Sequence, residues 1–208
     1  MNFSRLKRDL PLVAGIAGPA VYVLVLVVLG ALWANYNPVS QSMSEIGSVS
    51  SPFKDAMNYL GFSLLGVFIM LFSLGFRQHF KEGLQAKLAF ACIAVAGLFM
   101  FLVGFFPCDA GCIDVTETGK MHSLTSVVPA LLLPIAAIIS ASIFAQDRRF
   151  GKKWGYFSFA AGLLSMSAGP LMFVPEASAY LGLVQRLGIG FSLLWVFLVS
   201  VKLFSLRK

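Results

Sequence analysis

The chain has 208 residues, 58% hydrophobic and 12% charged, with a mean hydropathy of +0.84 and a net charge of +7 at pH 7. Soluble domains carry about a quarter charged residues, so this balance excludes an ordinary water-soluble domain and points to a bilayer as the solvent. The positive charge could mean a nucleic-acid partner, but its placement along the chain argues for topology instead.

The N-terminal stretch "MNFSRLKRDLPLVAG" has the basic start of a signal peptide. The apolar run behind it is longer than the roughly 7–15 residues of a signal core, and no small-residue cleavage site follows, so a retained first span is predicted. Spanning the hydrocarbon takes about 20 apolar residues. Six stretches qualify, at residues 12–34, 51–76, 88–106, 122–145, 154–174 and 181–204. The expected fold class is all-α, a polytopic six-helix transmembrane bundle forming one domain over residues 1–208.

If six spans alternate, thirteen of the sixteen basic residues share one side: Arg5, Lys7, Arg8, Arg77, Lys81, Lys87, Arg148, Arg149, Lys152, Lys153, Lys202, Arg207 and Lys208. Lys54, Lys120 and Arg186 fall on the other. This is the positive-inside pattern, which predicts a multi-pass protein of the cell membrane with both termini cytoplasmic. It leaves no reason to expect nucleic acid.

The first outer loop, residues 35–50, contains "NPVSQSMSEIGS". The second span is predicted to begin near Ser51, with Ser51 as cap, Pro52 in the first helical position and Asp55 favouring the helix start. Pro129 and Pro134 are expected to kink the fourth span. Recurrent glycines in the later spans would allow close helix packing.

Polar groups collect near the outer ends: Asn37, Ser40, Ser42, Ser44, Glu45, Asn58, Asp109, His122, Ser126, Glu176, Gln185 and Arg186. Arg186 lies about a turn into the sixth span, where an arginine is costly unless paired or wet. Glu45, Asp109 or Glu176 are its expected partners, with snorkelling to the headgroups as the structural alternative. Unpaired, it would suit a phosphate or carboxylate. His122 opens the fourth span with Ser126 one turn on. Together with Ser44 and Asp109 it supplies the parts of nucleophilic acyl or phosphoryl chemistry, although no G-x-S-x-G elbow is present.

Cys108 and Cys112 in "PCDAGC" fit a disulfide on the outer, oxidising side, with Gly111 allowing the turn. A zinc site from Cys108, Asp109, Cys112 and His122 is the weaker reading, because a C-x3-C without a second pair is a poor zinc signature. His79 and His122 fall on opposite sides of the membrane, which excludes a shared haem. No resident metal or cofactor is expected. Cys92, mid-span, reads as packing.

Four stretches in this order, "YNPVSQSMSEIG", "GFFPCD", the histidine at 122 and "GLVQR", resemble a family of six-span prokaryotic membrane proteins known as domain of unknown function 998. The resemblance runs over residues 12–204. It implies that Ser44 and Gly47 belong to the family's serine–acid–apolar–glycine turn, with Glu45 where aspartate is common. It further implies that Asp109, His122 and the Gln185–Arg186 pair occupy marked positions. The cysteine pair is not a family feature. More distantly the layout is similar to six-span lipid-remodelling proteins and to seven-span ceramidase-like hydrolases that use serine, aspartate and three histidines around zinc. This chain lacks the extra histidines.

The leading expectation is a hydrolase or transferase acting on membrane lipid at the outer leaflet. Ser44, Asp109 and His122 would be catalytic, and Glu45, Asn58, Ser126, Gln185 and Arg186 would bind the ligand. Asp109 would orient His122, and Arg186 would hold an anionic group. The alternatives are a non-catalytic lipid or ligand sensor or scaffold, and, third, a small transporter, which the lack of charge near mid-span disfavours.

Overall fold

The computed structural model describes residues 3–172 and 174–206, with side chains from residue 9 onward. Of the basic residues assigned to the inner side, Arg207 and Lys208 lie outside the described residues, as do the side chains of Arg5, Lys7 and Arg8. Six long helices form among the described residues: α1 (Phe3–Leu32), α2 (Lys54–His79), α3 (Leu84–Val103), α4 (Glu117–Gln146), α5 (Lys152–Leu171) and α6 (Leu181–Ser205). All except α5 are long and apolar enough to cross a membrane by length and composition. Two lysines, three serines and three glycines lower the hydropathy of α5.

Each helix packs on its neighbours in sequence, and α6 closes against α1, so the six make a ring. Short connections dictate this order, because antiparallel neighbours are the nearest surface on which an apolar helix can pack. The α2–α3 contact depends on two glycines. A Cβ on Gly66 would sit 2.2 Å from the backbone N of Phe101, and one on Gly97 would sit 2.7 Å from that of Met70. Without side chains there, the two backbones touch.

Trp195 of α6, fully buried, fills the centre of the ring against Phe72 and Phe76 of α2. Its indole N–H donates to Ser158 Oγ at 2.6 Å, and Ser158 donates to the Ala137 carbonyl at 2.8 Å. One chain of donors thus ties α6 to α5 and α5 to α4. Ser165 adds a second tie, to Ser192 Oγ at 2.8 Å and the Gly188 carbonyl at 2.6 Å. Serines in this interior are satisfied across helices, as here, or within their own helix, as at Ser73, Ser140 and Ser200, rather than left to lipid.

Several boundaries differ from the expected ones. The second helix starts at Lys54, because Ser51 uses its Oγ to accept the Phe53 N–H in a turn instead of capping. Its first turns are π-helical over Met57–Ser63. The fourth helix starts at Glu117, five residues before His122, because Thr116 caps it by accepting the Gly119 N–H at 3.1 Å. That helix is continuous through both Pro129 and Pro134.

Candidate functional site

The first loop is a folded cap, built from local hydrogen bonds. Asn35 turns the chain at φ 66°, and the Asn37 side chain accepts the Val39 N–H. Ser42 and Glu45 then form a capping box. Ser42 Oγ accepts the Glu45 N–H at 3.3 Å, and Glu45 Oε1 accepts the Ser42 N–H at 2.9 Å. The other Glu45 oxygen accepts from Gln41 at 2.9 Å. The turn that follows, Ser44–Gly47, buries Ile46 completely.

Arg186 is what holds the cap down. Its Nη1 donates to the carbonyls of Pro38 (2.6 Å), Gln41 (3.0 Å) and Gly182 (2.9 Å), and its Nη2 to the Tyr36 hydroxyl. The Tyr36 hydroxyl in turn donates to the Ser42 carbonyl at 2.8 Å. Burial pushes the Tyr36 hydroxyl up, against the pull of Arg186, so it keeps the proton it donates. Beside this latch the Met43 N–H donates to Gln185 Oε1 at 2.6 Å, and the Leu183 N–H to the Val39 carbonyl at 2.9 Å. The expected partners of Arg186, namely Glu45, Asp109 and Glu176, are not the ones it has. Three carbonyls and a phenol clustered at one point offer the guanidinium better geometry than acids already engaged or exposed.

Asp109 is likewise committed elsewhere. Its Oδ2 accepts the N–H groups of Val115 (2.9 Å) and Thr116 (2.8 Å), and its Oδ1 the Thr116 hydroxyl (2.9 Å). These bonds, that from the Thr116 N–H foremost, hold its carboxyl below the usual range. A Cβ at residue 119 would lie 2.1 Å from Oδ2, so only glycine fits there. Asp109 therefore positions the start of α4 and does not orient His122.

His122 is 3% exposed. Its Nδ1 lies 2.7 Å from the Phe106 carbonyl, which can only accept, so Nδ1 carries the proton. Nε2 of the neutral ring is then a bare acceptor, buried and without a partner among the described residues. The ring meets Phe62 edge-on with centroids 6.1 Å apart. Asn58, one turn before Phe62, has the same condition. Its amide donates to the carbonyls of Gly47 (2.7 Å) and Lys54 (2.9 Å), which fixes its orientation and leaves Oδ1 buried and unpartnered.

Cys108 and Cys112 are disulfide-bonded, with sulfurs 2.18 Å apart. This removes both thiolates from the conceivable zinc set. No group of three or more metal-ligating side chains forms among the described residues. The disulfide touches the cap: Cys108 Sγ lies 3.3 Å from the Ser44 carbonyl, and the Cys108 carbonyl accepts the Val49 N–H at 2.9 Å. Ser44 and Ser126 are half-buried, and neither hydroxyl makes a hydrogen bond among the described residues. Glu176 is exposed in the turn Pro175–Tyr180.

Sequence reasoning missed Tyr36, Thr116 and the Phe106 carbonyl. Thr116 was legible in "VTETG", a threonine followed by an acid and a helical run. Tyr36 carried no such signal, and a backbone carbonyl never does.

A ring of long apolar helices under a polar cap defines a helical integral membrane protein. The chain belongs to a known family within that class: the model described as "Protein of unknown function (DUF998)" matches residues 16–202. Neither a curated protein nor a solved structure matches it.

Proposed function

We propose that this protein resides in the cell membrane and binds lipid at its capped end without turning it over, as a sensor or scaffold for a headgroup that carries hydroxyl or ammonium donors. One observation carries the reading. The cation and both acids expected to serve a ligand are spent on the cap and on α4, and the buried polar atoms left without a partner among the described residues, Nε2 of His122 and Oδ1 of Asn58, are both acceptors. Buried acceptors without donors are costly, so such a site favours a ligand that brings donors. It does not favour a phosphate or carboxylate, for which Arg186 would have to be released.

The bare Nε2 also supports a second reading, a lipid hydrolase or transferase. There His122 would accept the proton of a water or hydroxyl, the Phe106 carbonyl would hold the imidazolium through Nδ1–H, and the Ser44 hydroxyl would position the substrate. One experiment separates the two. Protein in nanodiscs is incubated with a total prokaryotic lipid extract, and both retained lipid and products are read by mass spectrometry. A lipid retained by wild type and lost from His122→Ala and Asn58→Leu, with no new product, is the expected result. A product that disappears with His122→Ala establishes the enzyme instead. Retention unaffected by either substitution rejects binding at this site.

A further inference from the structure

At the opposite end of the bundle α4 and α5 leave a groove of about 370 Å3, lined by Ala141, Ala145, Lys152, Gly155, Tyr156 and Phe159. The spacing explains it. Residues 152, 155, 156 and 159 form one face of α5, and 141 and 145 stand one turn apart on α4. At the floor the helices meet closely, since a Cβ on Gly155 would lie 2.8 Å from the Ala141 carbonyl oxygen. The walls are aromatic and outward-facing: Tyr156 is 73% exposed and Phe159 50%. From Lys152 to Phe159 is seven residues, so the groove follows the helix axis for roughly 10 Å.

Charge marks one end of it. Lys152 lines the groove, and Lys153 and Arg148 are exposed beside it. None of the three makes an ion pair among the described residues. The acid of the same loop, Asp147, is already held by Arg149 at 2.6 Å. An apolar trough between two helices, headed by unpaired cations and flanked by a tyrosine, matches the two halves of an anionic lipid. A second copy of this chain fits less well, because a symmetric contact here would bring the same cations face to face.

We propose that this groove is a binding site for an anionic glycerophospholipid, with an acyl chain lying along Ala145, Tyr156 and Phe159 and the phosphate at Lys152. The site is independent of the one under the cap. Detergent-purified full-length protein offered equal phosphatidylglycerol and phosphatidylcholine should retain the former preferentially in native mass spectrometry, by roughly fivefold for each contributing lysine. Lys152→Glu should remove the preference. Ala145→Phe, which fills the groove and leaves every charge in place, should reduce phosphatidylglycerol retention. Tyr156→Ala, at an exposed wall, tests the same point should Ala145→Phe fail to fold. Equal retention of the two lipids by wild type overturns the proposal. So does a preference that survives these substitutions, which would be surface charge alone, or a dimer that Ala145→Phe abolishes, which would make the groove a contact between copies.

Discussion

Arg186 and Asp109 show how single residues at the capped end are used. The guanidinium of Arg186 reaches three carbonyls and the Tyr36 hydroxyl from one position, which a lysine cannot do. Arg186→Lys keeps the charge, so a role as a bare cation would survive it. The latch should not, and unfolding in mixed micelles should show a loss of about 2 kcal/mol, the scale of a charge-assisted hydrogen bond. Asp109 adds a pH dependence with a definite sign. Its carboxyl sits below its ordinary value of 3.8, so its contribution is present above that pH and is lost as pH falls through the folded value. Thermal stability should therefore fall on the acid side below about 4, and Asp109→Asn should flatten that limb. A limb unchanged by the substitution would mean that other carboxylates dominate. Both residues were legible in the sequence as unusual, an arginine inside a span and an acid after a proline. Their partners were not, because they are mostly backbone groups, which carry no side-chain signature.

At the scale of elements, the cap and the loop before α4 behave as two pieces pinned together. The disulfide closes a turn in which Gly111 and Cys112 both have positive φ, 67° and 53°. A cysteine holds that conformation reluctantly, so the closed turn depends on the bond. Reduction by a dithiol should relax the turn and, through the Val49–Cys108 hydrogen bond and the contact with Ser44, loosen the cap. Hydrogen exchange over residues 42–49 should rise on reduction, and Cys108→Ser with Cys112→Ser should cost about 2 kcal/mol. Exchange that rises only in residues 109–115 would show that the disulfide serves its own loop. The helices themselves were readable from apolar runs, since a bilayer demands them. Their starts were less so. At Thr116 a capping side chain extended α4 into residues that look like polar loop, and the π-helical turn Met57–Ser63, from which Asn58 donates to the Gly47 carbonyl of the cap, has no local pattern to announce it.

The whole molecule turns on whether α5 crosses the membrane, since composition alone places it below the other five. Its polar side chains argue that it does. Ser158 and Ser165 face inward, bonded to Ala137, Trp195, Ser192 and the Gly188 carbonyl, while Tyr156, Phe159, Leu163 and Leu164 face outward and are exposed. The surface offered to lipid is thus largely apolar, and of the three serines that lower the average only Ser167 is exposed, its hydroxyl bonded to the Leu164 carbonyl at 2.9 Å. With six crossings, both termini and the loops carrying Arg148, Lys152 and Lys153 lie on one side, as the charge bias requires. With five, Lys202, Arg207 and Lys208 would move to the opposite side and the bias would break. Reporter fusions decide between these. A fluorescent protein that matures only in the cytoplasm should shine at either terminus, and alkaline phosphatase should be active when inserted after Gly111 and inactive at the C-terminus. An active phosphatase at the C-terminus would remove α5 from the set of spans, and with it the lipid-facing groove that α5 forms with α4.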